Sequence, residues 1–271
     1  MNMRESFKYK KRIVIKVGTS SLSYTNGRLN FQRIAKLSYV LSALRSRNLE
    51  IVLVSSGAIA VGAGRLGLLN RPVELSKKQA LAAIGQAELM KIYQKFFEEY
   101  NQTVAQVLLT KDIVALPERH QNARNTILKL LGMGIIPIIN ENDTISTYEI
   151  EFGDNDTLSA NVAQLIDADL LILLSDIDGL YSADPKKEHK AEIIRSVSDI
   201  TPDLEKLASG TATSFGTGGM ITKISAAKIC LEADIDTIIT NGNDPSIIFD
   251  ILDGKEVGTH FVAGKSVVSK N

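Results

Sequence analysis

Lys16 and Lys223, near opposite ends of the chain, each stand beside a glycine-containing turn, and Asp156 lies between them in sequence. Two ammonium groups can bracket a group over which negative charge is spread, and an aspartate can fix both of them. That combination suits phosphoryl transfer, where a protein mainly positions reactants and stabilises charge. The stretch Gly216-Thr217-Gly218-Gly219-Met220-Ile221-Thr222-Lys223 leads into a helical pattern. Its glycines let backbone N–H groups approach a phosphate, and the helix N-terminus adds a favourable dipole. The same stretch also reads as an ordinary turn before a surface helix with a solvated lysine. It lacks the Walker A spacing, and no strand leads into a G-x-G-x-x-G dinucleotide fingerprint.

Lys16 closes an apolar run and is followed by Val17-Gly18-Thr19-Ser20-Ser21. A lysine there is costly unless its ammonium meets an anion or water. Snorkelling from an edge strand would serve, but the glycine and hydroxyls that follow favour a phosphate partner. Ser55-Ser56-Gly57-Ala58 follows another apolar run and opens a helix, which suits a carboxylate or phosphate or, equally, a serine N-cap. The densest polar cluster is Asn140-Glu141-Asn142-Asp143, then Gly153-Asp154-Asn155-Asp156-Thr157. A turn and helix cap explain one or two of these residues. A substrate ammonium, a lysine to be oriented, or Mg²⁺ would explain the set. Ser175-Asp176 and the turn-rich Gly179-Leu180-Tyr181-Ser182-Ala183-Asp184-Pro185 form a candidate nucleotide loop. No G-x-S-x-G elbow or nucleophile–base pair offers a covalent route, and His120, His189 and His260 read as surface residues.

Strands are predicted over Ile13–Val17, Ile51–Val54, Val104–Leu109, Ile135–Ile139, Leu170–Leu174 and Thr237–Thr240, rich in Val, Ile and Leu. Helical periodicity covers Phe31–Arg47, Lys77–Tyr100, Arg119–Leu131, Leu158–Ile166 and Gly219–Ala233. Alternation of this kind implies one α/β domain with a mostly parallel sheet covered on both faces. In such sheets, ligands bind beyond the carboxyl ends of the strands, which is where the polar segments fall. Lys plus Arg and Asp plus Glu number 31 each, so no net field draws in nucleic acid or an anionic membrane. The apolar runs are too short to cross a bilayer, and the basic, polar first dozen residues are no secretory signal. The lone Cys230 reads as a buried structural thiol. A cytoplasmic protein is expected.

The six polar segments, in this order, resemble the amino acid kinase family over about residues 12 to 262. The match rests on Ile15–Ser20, Ser55–Ala60, Asn140–Asp143, Phe152–Asp156, Gly179–Pro185 and Gly216–Lys223. The resemblance implies a three-layer αβα sandwich formed by one kinase domain over residues 1–271, without the C-terminal PUA domain of many bacterial members. It implies phosphorylation of the γ-carboxylate of L-glutamate by ATP, the first step of proline biosynthesis. Ser56, Asp143 and Asn155 would contact glutamate. Lys16, Ser175, Asp176 and the stretch Thr217, Gly218, Gly219, Met220, Ile221, Thr222 and Lys223 would contact ATP. Lys16 and Lys223 would stabilise the moving phosphoryl group, and Asp156 would organise them. Mg²⁺ would accompany ATP, with no direct protein ligand. A homo-oligomer, dimer or tetramer, is expected, with proline as a candidate feedback inhibitor. Glu151 stands where many members carry a basic residue, so a substrate contact from that position is not carried over. Kinases of N-acetylglutamate, aspartate, carbamate or UMP are the nearest alternatives. A nucleotide-binding regulator on the same fold would not need both lysines and Asp156.

Overall fold

The computed structural model describes residues 3–24, 28–68, 72–110, 116–146, 155–183, 185, 188, 190–209 and 219–264. Among them, the strands are β1 Arg12–Val17, β2 Glu50–Ser55, β3 Val104–Leu109, β4 Ile136–Glu141, β5 Leu170–Ser175, β6 Ser196–Val197, β7 Asp236–Asn241 and β8 Thr259–Phe261. They form an 8-stranded sheet in the order β3-β4-β2-β1-β5-β7-β8-β6. All pairs are parallel except β7 with β8. Helices α1 Thr19–Leu22, α2 Phe31–Ser46, α3 Ala58–Arg65, α4 Leu75–Glu98 and α5 Pro117–Gly132 belong to the first half. The second half carries α6 Asn155–Leu165, α7 Pro202–Ser209, α8 Met220–Glu232 and α9 Ile247–Leu252.

Strand periodicity divides the core. Ile13, Ile15, Val17, Ile51, Leu53, Leu170 and Ile172 point to a cluster shared with α2 and α4. Val14, Val52, Val54, Leu171, Leu173 and Ile239 point to the opposite cluster, shared with α6 and α8. Because side chains alternate along a strand, Lys16 shares the face of Val14 and so faces α6 and α8. Layers of helix on both faces of the sheet make the expected αβα sandwich.

Several predicted boundaries move. β4 begins one residue later than expected and runs on through Asn140 and Glu141, which pair with Leu108 and Leu109. These two polar residues therefore belong to the strand and do not follow it. β2 and β5 likewise end on Ser55 and Ser175. β1 lies in the middle of the sheet, so Lys16 is not an edge-strand lysine.

His260, expected at the surface, is 2% exposed. Its Nε2 lies 2.7 Å from Asp236 Oδ1, and Phe7 packs against the ring edge-on with centroids 4.8 Å apart. Burial opposes ionisation of Asp236, but His260 and Lys10 hold its carboxyl down to about 2. His120 is half-buried, and His189 lies outside the described residues. Cys230 is buried as expected, and burial pushes its thiol up to about 12. No helix among the described residues is long and apolar enough to cross a membrane.

Candidate active site

Three elements deliver one charge cluster at the carboxyl edge of the sheet. β1 supplies Lys16 next to its last residue, the first turn of α6 supplies Asp156, and the first turn of α8 supplies Lys223. Lys16 Nζ lies 2.7 Å from Asp156 Oδ1, and Lys223 Nζ lies 3.1 Å from Asp156 Oδ2. Thr222 donates its hydroxyl to the same Oδ2 at 2.8 Å. Lys16, Asp156 and Lys223 are 8%, 1% and 7% exposed. Burial alone would raise the Asp156 pKa, but the two lysines and Thr222 hold its carboxyl far below the ordinary carboxylate range. Asp156 is thus ionised at any physiological pH. Two ammonium groups set against one carboxylate sum to a single positive charge, in a place where water screens little.

Local backbone keeps space around these groups. Gly18 has φ −84°, which any residue adopts, so conformation does not demand glycine there. A Cβ at Gly18 would sit 3.6 Å from Lys16 Nζ and fill the space beside the ammonium. A Cβ at Gly219, the residue capping α8, would meet nothing within 4 Å. Met220 is buried in the core cluster, so its side chain packs inward while Ile221 is exposed. Thr217 and Gly218 lie outside the described residues, as do Glu151, Gly153, Asp154 and Asp184.

A second cluster adjoins the first through the Asn155–Asp156 pair. Asn155 Nδ2 donates to Ser56 Oγ at 2.7 Å and to Asn140 Oδ1 at 3.0 Å. Asn140 Nδ2 in turn donates to Gln86 Oε1 on α4 at 2.9 Å. Ser56 is held in place by its own N–H, which donates to Val17 O at 3.1 Å. The next residue, Gly57, has φ +106°, a left-handed turn into α3 that glycine makes without strain. Ser55 faces the other side of the sheet and shares a 2.8 Å hydrogen bond with the hydroxyl of the buried Tyr93.

Asp143 lies just past β4 and is 5% exposed. Its Oδ1 has no hydrogen-bond partner among the described residues. Burial first, and then the charge of Glu141, raise its pKa well above the carboxylate range. Glu141 itself accepts a hydrogen bond from Ser146 Oγ. A buried acid with no cationic partner among the described residues is a ready receptor for an incoming ammonium.

Ser175 ends β5, the strand beside β1, and Asp176 follows it, with Ser175 Oγ donating to Asp176 Oδ1 at 3.1 Å. Beyond them, Asp178 accepts from Asn241 Nδ2 at 2.8 Å and from the Tyr181 hydroxyl at 3.2 Å. Gln86 and Tyr93 did not stand out as site residues in the sequence, whereas Asn140 did as part of the polar cluster Asn140–Asp143. The available signal for Gln86 was a polar residue on the otherwise apolar buried stripe Ala82, Leu89, Tyr93 and Phe97 of α4.

A mostly parallel sheet thus carries a two-lysine, one-aspartate cluster at its carboxyl edge. The amino acid kinase family model matches residues 11–241, and the chain belongs to that family. Within it, a curated glutamate 5-kinase of Listeria innocua is 53% identical over 98% of each chain. That of Clostridium perfringens is 52% identical over 97% of this chain and 99% of its own. Among solved structures, the carbamate kinase of Giardia lamblia bound to AMP-PNP superposes with TM-score 0.68 at 13% identity, covering 95% of this chain and 100% of that one. The UMP kinase of Bacillus anthracis gives TM-score 0.61 at 17% identity, over 93% and 96% of the two chains. These two establish the likeness of fold.

Proposed function

We propose that this chain transfers the γ-phosphoryl group of ATP to the side-chain carboxylate of L-glutamate, giving L-glutamyl 5-phosphate and ADP. The observation that carries this reading is the Lys16–Asp156–Lys223 cluster, with the glutamate 5-kinase relatives naming the acceptor. A glutamate side chain is ionised at neutral pH, so its oxygen can attack the γ-phosphorus without a general base. The new bond joins that oxygen to phosphorus as the bond to the ADP oxygen breaks. Lys16 and Lys223 meet the charge on the transferring group and the leaving oxygen, and Asp156 holds both ammonium groups in register. A donor of this kind contributes on the order of 10²–10³ in rate.

Ser56, Asn155 and Asp143 are assigned to glutamate, with Asp143 receiving the α-ammonium. This last contact would favour glutamate over N-acetylglutamate, whose nitrogen carries no charge. Ser175, Asp176 and the stretch from Thr217 to Lys223 are assigned to ATP. Mg²⁺ is proposed to arrive on the ATP phosphates, because Asp156, the carboxylate within the cluster, turns both oxygens to lysines. The reading places the reaction in the cytoplasm at the entry to proline synthesis, and extends to a homo-oligomer inhibited by proline.

The test is an ATP-dependent hydroxamate assay with glutamate, N-acetylglutamate and aspartate offered separately. Product from glutamate alone is expected. Product from N-acetylglutamate or aspartate instead, or from none of the three, overturns the assignment.

A further inference from the structure

The amide chain behind Ser56 has a direction. Gln86 Oε1 accepts from Asn140 Nδ2, Asn140 Oδ1 accepts from Asn155 Nδ2, and the same Nδ2 donates to Ser56 Oγ. Asn140 presents its donor to Gln86 and its acceptor to Asn155, and the amide NH2 of Asn155 has two hydrogens to give, so the sense at one end of the chain sets the sense at the other. Gln86 stands at the far end of the chain, with Oε1 toward Asn140. With its carbonyl facing Asn140, Asn140 presents Oδ1 to Asn155, and the two hydrogens of Asn155 Nδ2 go to Asn140 Oδ1 and Ser56 Oγ. Ser56 Oγ then receives a hydrogen, which leaves its own hydroxyl hydrogen to be donated elsewhere. We propose that Gln86 is a positioning residue, which acts through Asn140 and Asn155 to hold Ser56 as a hydrogen-bond donor toward an anionic substrate oxygen.

Two further observations support this. Gln86, Asn140, Asn155 and Ser56 are 9%, 1%, 1% and 8% exposed, so water does not readily replace a lost partner. The helix that carries Gln86 is also fixed in depth and rotation at that point. A Cβ on neighbouring Gly85 would lie 1.7 Å from Ala58 O, and one on Gly62 would lie 2.1 Å from Leu81 O. Helices α3 and α4 thus touch backbone to backbone one residue from Gln86. Because α3 begins two residues after Ser56, this contact joins the two ends of the amide chain to one rigid crossing.

The inference rests on glutamate being the acceptor, and its test separates the two claims. Wild type, Gln86→Met and Gln86→Glu are compared for kcat, KM for glutamate, KM for ATP and Tm, each also in a Ser56→Ala background. Gln86→Met removes the acceptor at similar volume and is expected to raise KM for glutamate about ten-fold. KM for ATP should stay within about two-fold, because the chain does not reach the lysines. Gln86→Glu keeps an oxygen facing Asn140 and should hold KM for glutamate near the wild-type value. In the Ser56→Ala background, Gln86→Met should add little, because the group it positions is gone. Equal KM in wild type and Gln86→Met overturns the role of Gln86 alone, as does an undiminished effect in the Ser56→Ala background. So does an equal rise with Met and with Glu. A wild type that turns over no glutamate overturns both claims.

Discussion

The two halves of the site are held together by different physics. Around Asp156, position comes from opposite charges: two lysines from β1 and α8 converge on one buried carboxylate. Around Asn155, position comes from neutral amides whose donors and acceptors interlock. Charge attraction is strong but weakly directional, which suits a cluster that must meet diffuse negative charge on a phosphoryl group. Amide hydrogen bonds are weaker but polar in sense, which suits recognition of one substrate among similar acids. Two neighbouring residues in the first turn of α6 serve both halves, so a single helix start couples recognition to transfer.

Removing the centre of the charged half should give the largest effect. Asp156→Asn leaves two buried ammonium groups without their carboxylate. Turnover should fall at least ~10³-fold, and unfolding free energy should drop by about 3–5 kcal/mol. Steady-state assays and urea titration check the two numbers. A stable, active variant would mean that the lysines are positioned by something else.

Removing the acid of the substrate half should cost less and act differently. Asp143→Asn should raise KM for glutamate by about 10- to 100-fold, the value of a charge-assisted hydrogen bond. It should leave KM for ATP nearly unchanged. An unaltered KM for glutamate would remove Asp143 from the ammonium site.

The smallest effects separate the halves by pH. The Asp156 pKa is lowered on folding, so its contribution to stability is present above its unfolded value of about 3.9 and lost as pH falls through the folded value. The Asp143 pKa is raised, so its contribution is full below about 3.9 and lost as pH rises through the folded value. The Tm deficit of Asp156→Asn should therefore be level from neutral pH down to about 4 and shrink below it. Asp143→Asn should instead gain Tm relative to the wild type as pH rises toward neutrality. Parallel pH curves for the two variants would contradict this contrast.

Much of the charged half was legible in the sequence because each member sits at a strand end or helix start, where ligands bind in such sheets. Lys16, Asp156 and Lys223 could be brought together on that ground alone. The amide half was only partly legible. Ser56 and Asn155 follow the same rule, but Gln86 lies 54 residues from Asn140, in mid-helix, and is recruited by packing. Runs of Val, Ile and Leu marked the central strands, whereas β6 and β8, of 2 and 3 residues, are too short to show a period. Apolar patterning also ended β4 early, because backbone pairing continues through Asn140 and Glu141 after the apolar run stops. His260 was misplaced for a similar reason. Its burial depends on Phe7 and Asp236, which come to it from distant parts of the chain.

The central claim is that Lys16 and Lys223 act as one clamp through Asp156. Glutamate-dependent turnover of Lys16→Met, Lys223→Met and the double variant tests it most directly. Each single variant should lower kcat by about 10²–10³ with KM for glutamate little changed. The double variant should fall far short of the product of the two losses, as groups acting as a unit do. Wild-type turnover in either single variant, or losses that multiply fully in the double, would contradict the clamp.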